Sequence, residues 1–295
     1  MLARPGLPEF EYIKATSPQE LFQLLEDKRD QVQLLMGGTD LFIQMRDRSE
    51  GAQVLVDIKE LPGMKEITFD KNNGLRVGAA VHLNQLSAFP EVQAHYGVLA
   101  ESANTVGNYQ LRNRATLGGN ICNASPSADL SPACLVLEGE VFLTGPKGDR
   151  KLTLKDFWLG PGKTSLAKNE YLSAIQFPTP PAGAVGCYLK LGRSKMGDLA
   201  IVGVAVLGYP DKDVPAGFKF RIGINSTAPT AYRVPEVEKE ISQKIISDEV
   251  FNQAAEQAMN ISSPIEDVRA TALYQKLMVR NLTYKALNNV WDLLK

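Results

Sequence analysis

Two glycine-rich stretches carry the residues of this 295-residue chain best suited to chemistry. The first is Gly37-Gly38-Thr39-Asp40, set between the apolar runs QLLM and LFIQM. Glycines let the backbone take positive φ and turn its N–H groups toward a ligand oxygen. A helix starting at Thr39 or Asp40 would add the free N–H groups and positive dipole end of its first turn. That combination suits a phosphate or pyrophosphate. It also suits an ordinary strand–helix turn, and it is neither of the standard glycine fingerprints for dinucleotides and nucleoside triphosphates. The second stretch is Thr116-Leu117-Gly118-Gly119-Asn120, followed by Ser125-Pro126-Ser127-Ala128-Asp129. Its Thr and Asn side chains can donate and accept, and Asp129 offers an acceptor for ribityl-type hydroxyls or a ring N–H. Both stretches are poor in charge and bracketed by apolar segments. Together they fit one ligand with a phosphate end and a polar, planar end.

Other chemistries are poorly supplied. Cys122, Cys134 and Cys187 are an odd number with no CxxC pair, a pattern of reduced thiols rather than of a disulfide framework. They cannot provide the four thiolates of an iron–sulfur cluster. The two histidines, His82 and His95, are separated by a turn-rich stretch, which argues against a self-contained zinc hydrolase or a Ser–His–Asp hydrolase. A net charge of -1 lacks the basic stripe that nucleic acid requires. The 44% hydrophobic and 22% charged content is that of a soluble globular protein. No window approaches the ~18 apolar residues of a membrane span, and MLARPGLPEFEY has no apolar stretch that could act as a signal peptide. The cytoplasm is the expected location.

The surrounding pattern predicts the elements that hold these loops. FEYIKA (10–15) reads as a short strand, and Ser17-Pro18-Gln19-Glu20 opens a helix that buries Leu21, Leu24 and Leu25. Residues 33–36 read as a strand ending at the first glycines, with a helix from Asp40 to Arg48 that turns Leu41, Met45 and Ile43 inward. VLVDIK (54–59) is a further strand, and Asn-Asn-Gly centres a hairpin over 67–81. Helix follows over about 84–107, broken at Pro90. The run 109–139 reads as a long binding loop, and 140–154 as a hairpin around Gly145-Pro146-Lys147-Gly148. PTPPAG (178–183) marks a boundary. Beyond it come three strands (187–191, 200–209, 218–224) and helices at about 235–243, 248–259 and 265–294. In the last helix Leu273, Leu277, Tyr284, Leu287, Trp291 and Leu294 form a core or interface stripe. Strands followed by helices predict an α+β fold.

The motifs GGTDL and TLGGNICNASPSADLSP, linked by VGNYQLRNRATLGGN, resemble the FAD-binding medium subunit of the molybdenum hydroxylases, the family of xanthine dehydrogenase and the aerobic carbon monoxide dehydrogenase. The resemblance covers essentially the whole chain. It implies a two-part FAD-binding domain of the vanillyl-alcohol oxidase (PCMH) type over 1–178, with subdomains of about 1–58 and 59–178. A C-terminal α+β domain of the carbon monoxide dehydrogenase flavoprotein type, a three-stranded sheet with helices, then spans 185–295. Met36 stands where the family usually has Ala. No cysteine-rich insertion is present for the branch that carries an extra iron–sulfur cluster in this subunit.

The resemblance also implies roles. Gly37, Gly38, Thr39, Asp40 and Leu41, led in by Met36, match the loop that wraps the FAD pyrophosphate. Thr116, Gly119, Asn120 and Asn123 match contacts to phosphate, ribityl or adenosine oxygens, and Asp129 matches an acidic FAD ligand. Leu172, in YLSAIQFP, falls where the family packs an apolar side chain on the isoalloxazine. Lys190 matches a lysine near the flavin; a lone Lys in a strand would otherwise read as a solvated edge. DVRATALYQKLMVRNL resembles a late structural helix. The implied assembly is a dimer of heterotrimers in which a large subunit holds the molybdenum cofactor. A small subunit with [2Fe-2S] clusters passes electrons to this FAD, and NAD, a quinone or oxygen reoxidises it. No catalytic residue and no metal site is expected on this chain. A stand-alone FAD-dependent reductase of the same fold, and a scaffold that has lost FAD, remain alternatives.

Overall fold

The computed structural model of the chain describes residues 6–47, 53–266 and 268–295. Arg48, where the second helix was expected to end, Asp267 of the late helix motif and the first five residues lie outside that range.

The chain opens with β1 (Glu11–Lys14), α1 (Pro18–Lys28), β2 (Val32–Leu35), α2 (Leu41–Asp47) and β3 (Val54–Asp57). The three strands pair in parallel in the order β1-β3-β2. Ser17 Oγ accepts from the Glu20 N–H, while the Glu20 carboxylate reaches back to the Thr16 N–H and hydroxyl, so α1 begins where its sequence says it must. Leu21 and Leu25 are buried, and Leu24 partly so. In α2 Met45 points inward, but Ile43 is 51% exposed, so the expected inward face is narrower than three residues.

Next come β4 (Ile67–Asp70), β5 (Gly74–Gly78), α3 (Leu83–Ala88), α4 (Pro90–His95), α5 (Gly97–Thr105), α6 (Tyr109–Arg112), α7 (Leu117–Asn123) and α8 (Leu130–Val136). They are followed by β6 (Glu140–Gly145), β7 (Gly148–Thr153), α9 (Leu154–Phe157), β8 (Trp158–Gly160), β9 (Lys163–Thr164) and β10 (Tyr171–Phe177). An antiparallel sheet runs β4-β5-β10-β6-β7, and both expected hairpins form, with Asp70 opposite Gly74 and Gly145 opposite Gly148. The stretch 109–139 differs from its expectation as one long loop, because it folds into α6, α7 and α8. Asn108 Oδ1 accepts from the Leu111 N–H and Thr116 Oγ1 from the Gly119 N–H, so side-chain caps start turns too brief to show helical periodicity.

The last part holds β11 (Val185–Leu191), β12 (Val202–Pro210), β13 (Phe218–Asn225), β14 (Tyr232–Arg233), α10 (Pro235–Ser242), α11 (Asp248–Ile261) and α12 (Ala272–Leu294). The sheet β11-β12-β13-β14 has four strands instead of the expected three, since the two residues of β14 are too few to leave a pattern. The final helix starts at Ala272 rather than near 265, capped by Thr271 Oγ1 on the Tyr274 N–H. Its buried face runs through Val279, Thr283, Ala286, Leu287 and Val290, leaving Leu273 68% exposed.

This four-stranded sheet is a wall between two cores. Side chains alternate across a strand, so Val202, Val204 and Val206 of β12 enter the core under α10–α12. Ala205 and Leu207 of the same strand enter the core of the preceding 170 or so residues, where α5 and α8 pack on the sheet. Tyr188 joins that first core, and its neighbour Cys187 the second. The uninterrupted apolar run AIVGVAVLG is thus a strand buried on both faces.

Residues 115–118 run beside 79–83, through Leu83 N–H to Ala115 O, Leu117 N–H to Val81 O and Gly118 N–H to Ala79 O. A Cβ on Gly118 would lie 2.5 Å from Ala79 Cβ and 2.6 Å from its carbonyl oxygen. Gly118→Ala should therefore destabilise the fold by about 1–3 kcal/mol, the usual cost of overpacking. A lowered urea midpoint at unchanged m-value would report it, and an unchanged midpoint would show that α7 can shift freely on Ala79.

Candidate functional site

The first loop follows β2 at the carboxyl ends of the parallel strands, where open sheets of this kind present their ligand crevices. Gly38 has φ +74°, a left-handed conformation that a side chain would strain. Gly37 is pressed against another segment: a Cβ there would sit 2.3 Å from Arg114 O and 3.1 Å from Ala115 Cα. That approach brings the first loop against the residues leading into the second. Met36 O accepts from Lys59 Nζ at 3.3 Å, and Lys59 is paired with buried Asp57 at 2.5 Å. Burial alone would raise the Asp57 pKa, but hydrogen bonds from Lys59 and Tyr12 outweigh it and hold the carboxyl below its usual value.

The helical turn at α2 begins with Phe42 N–H to Gly38 O. Among the described residues, no hydrogen bond uses the N–H groups of Gly37, Gly38, Thr39, Asp40 or Leu41. Asp40 keeps an exposed edge, yet protein crowding around its carboxyl raises its pKa, the Thr39 hydroxyl opposing. Arg114, which sequence reasoning did not single out, is an exposed cation whose charge helps depress the pKa of half-buried His82, after burial itself.

The second loop is organised in the opposite way. Its N–H groups at Leu117, Gly118, Gly119 and Asn120 are all used inside the protein. What it leaves available is a side chain: Asn120 Oδ1 is buried and has no hydrogen-bond partner. Buried acceptors are rarely left so. Asn123 Oδ1 accepts from Gln44 Nε2 at 3.2 Å, a direct tie between α7 and α2. Thr116 is spent on the cap of α7.

Asp129 sits at the seam with the C-terminal sheet. Its carboxylate is clamped between Lys190 Nζ at 2.7 Å and Tyr188 Oη at 2.8 Å, both on β11. Lys190 Nζ also donates to Thr105 O at 3.2 Å. The side chains of Lys190 and Asp129 are only 12% and 7% exposed, so Lys190 is no solvated edge residue. Burial raises the Asp129 pKa, and the charge of Lys190 with the hydrogen bonds from Lys190 and Tyr188 works against that rise. Burial, and then the Asp129 charge, push the Tyr188 phenol well above its ordinary value, so it stays a donor. Asn225 of β13 donates to Ala128 O at 2.8 Å and Arg269 to Ser127 Oγ at 3.1 Å, both holding the loop from the far side.

Leu172 of β10 lies near the second loop, since the neighbouring Ser173 O accepts from the Ala79 N–H and Ala79 O accepts from the Gly118 N–H of α7. Leu172 is 1% exposed within the first core, beside a bulge in β10, and presents no surface to a ligand in this conformation. Burial pushes the thiols of Cys122 and Cys187 up to about 12, which removes them as nucleophiles. A cavity of about 280 Å³ lies elsewhere on the seam, between Glu138, Arg221, Arg233 and Lys239. Arg221 and Arg233 are already paired there with Glu138 at 2.9 and 3.2 Å, so it is an ion-pair cluster and not a second half of the loop site.

Residues 8–180 match the family described as the FAD binding domain in molybdopterin dehydrogenase. Residues 187–290 match the carbon monoxide dehydrogenase flavoprotein C-terminal domain. The chain is 33% identical to the carbon monoxide dehydrogenase medium chain of Hydrogenophaga pseudoflava, over 96% of this chain and 98% of that one. It is 29% identical to a putative xanthine dehydrogenase FAD-binding subunit of Escherichia coli (strain K12), over 94% of each. A solved structure of the Hydrogenophaga pseudoflava carbon monoxide dehydrogenase, in a form lacking the Mo-pyranopterin moiety of its molybdenum cofactor, superposes with a TM-score of 0.91 over 97% of this chain and 98% of that one.

Breaking a buried ion pair from one side costs about 3–5 kcal/mol, and Lys190→Met should do so by leaving the Asp129 carboxylate uncompensated. A carboxyl whose folded pKa lies above its unfolded one penalises the fold only while ionised; the deficit is full above the folded pKa and shrinks as pH falls through it. Urea unfolding of Lys190→Met should thus show a smaller loss at pH 5 than at pH 8. Equal losses would place the effect in packing rather than charge.

Proposed function

The chain belongs to the FAD-binding medium subunits of the xanthine dehydrogenase and carbon monoxide dehydrogenase family, and from that membership we propose that it carries electrons between an iron–sulfur partner and an external acceptor. FAD suits the residues present. The row of unused N–H groups from Gly37 to Leu41 matches a pyrophosphate, whose oxygens accept and cannot donate. The observation that carries the reading is Asn120 Oδ1, a buried acceptor without a protein partner on the loop that Gly37 touches through Arg114. An orphan of this kind costs about 1–3 kcal/mol unless a ligand donor meets it, and a ribityl hydroxyl or a ring N–H is such a donor.

When bound, FAD supplies the redox chemistry, accepting electrons from one-electron centres and yielding them to a two-electron acceptor. The chain's own residues bind and orient. Met36 leads in, and Gly37, Gly38, Thr39, Asp40 and Leu41 grip the pyrophosphate. Gly119 keeps backbone clear beside the Thr116 cap, Asn120 meets a flavin or ribityl donor, and Asn123 braces α7 against α2. Asp129, leading into α8, and Lys190 of the C-terminal sheet close the site between them. A large molybdenum-cofactor subunit and a small [2Fe-2S] subunit complete the enzyme in a cytoplasmic dimer of heterotrimers, with NAD, a quinone or oxygen as acceptor. Among the described residues no helix is long and apolar enough to cross a membrane.

Titration of the purified full chain with FAD should reach one flavin per chain, read from quenched flavin fluorescence; no binding would sink the reading. Asn120→Ala removes an acceptor that no protein group satisfies, so its urea midpoint without FAD should hold or rise. Its FAD affinity should fall roughly tenfold, the worth of one hydrogen bond. Unchanged FAD affinity would remove Asn120 from the site.

A further inference from the structure

Tyr188 and Lys190 are two residues apart on β11 and therefore share a face. They divide one carboxylate between them, Tyr188 Oη on Asp129 Oδ1 and Lys190 Nζ on Asp129 Oδ2. The place of the phenol is enforced from the neighbouring strand. A Cβ on Gly203 of β12 would lie 2.3 Å from the Tyr188 hydroxyl and 2.5 Å from Asn225 Oδ1, so the glycine makes the space in which the hydroxyl reaches Asp129. The Tyr188 N–H is itself held by the Glu101 carboxylate of α5 at 2.8 Å. An ammonium has three donors. Two of those on Lys190 go to Asp129 and Thr105 O, and among the described residues the third has no partner.

We propose that Tyr188 is a positioning residue that sets how strongly the Lys190 ammonium acts on the bound flavin, by taking a share of the Asp129 charge. This rests on the reading of the two loops as the FAD site. A carboxylate held by Lys190 alone draws the ammonium fully into a neutral pair, whose field on a third group is weak. A phenol donor on the other oxygen stabilises the carboxylate independently and leaves the ammonium freer to serve a ligand. Reduction adds negative charge to a flavin, so a stronger field from Lys190 favours the reduced form.

Tyr188→Phe should lower the flavin midpoint potential, and Asp129→Asn should raise it, because the second variant removes the countercharge and keeps an isosteric acceptor. A purely structural loosening would move both the same way. The measurement is spectroelectrochemical titration of the FAD-loaded full chain, with flavin content read from absorbance beforehand. Opposite shifts support the role. Unchanged potential in flavin-replete Tyr188→Phe, shifts of the same sign, or loss of flavin from Tyr188→Phe overturns it while leaving the site reading intact. A wild-type chain that takes up no FAD would instead overturn the site reading beneath it.

Discussion

Burying the Asp129 carboxylate beside the Lys190 ammonium obliges two separately built cores to hold one relative position. An isolated charge in that seam would cost several kcal/mol after relaxation, so carboxylate and ammonium must meet with hydrogen-bond geometry, and they do at 2.7 Å. Asp129 belongs to the segment leading into α8, and Lys190 to the edge strand of the C-terminal sheet. The sheet can present Lys190 only because β12 and β13 behind it are packed on both faces and cannot tilt. The wall of valines and isoleucines, anonymous as chemistry, is what aims Lys190 across the seam.

The two glycine loops differ in the polar groups that each leaves without a protein partner. Around α7 the backbone is consumed by pairing with 79–83, which leaves side chains to face a ligand. Around α2 the backbone turns through Gly38 before any partner strand is available, and its N–H groups remain. Phosphate oxygens need donors and nothing else, so unspent N–H groups suit them. Hydroxyls and ring nitrogens need donors and acceptors, which a carboxamide supplies. The close approach of Gly37 to the Arg114 carbonyl, with the Gln44–Asn123 hydrogen bond, brings the two loops together.

The positions of both loops were legible in the sequence, because Gly-Gly-Thr-Asp and Leu-Gly-Gly-Asn interrupt apolar runs and only backbone demands explain such interruptions. The hairpins at Asn-Asn-Gly and Gly-Pro-Lys-Gly were legible for the same local reason. Contacts made across the chain were not. Nothing near Asp129 names Tyr188 and Lys190 as its partners, and nothing in VGVAVLG says that alternate residues enter different cores. Short capped helices defeated periodicity over 109–139, since α6 spans four residues and α7 seven, barely one or two turns. Leu172, placed by resemblance at a flavin face, lies beside the β10 bulge within the first core. In the sequence the lysine reads as a lone cation; its charge is countered by a residue 61 positions earlier in the chain.

That last difference alters the electrostatics expected of the site. A lone ammonium beside a redox ring would bias it strongly toward the reduced, more negative state. An ammonium shared with a buried carboxylate, itself shared with a phenol, exerts a smaller bias that depends on how three groups partition one charge. The buried Tyr188 stays protonated, and burial pushes the thiols of Cys122 and Cys187 high. Because the charges come from both cores, any ligand that touches them and the first loop together must stabilise the seam by its binding free energy. Binding and the docking of the two cores are therefore one equilibrium.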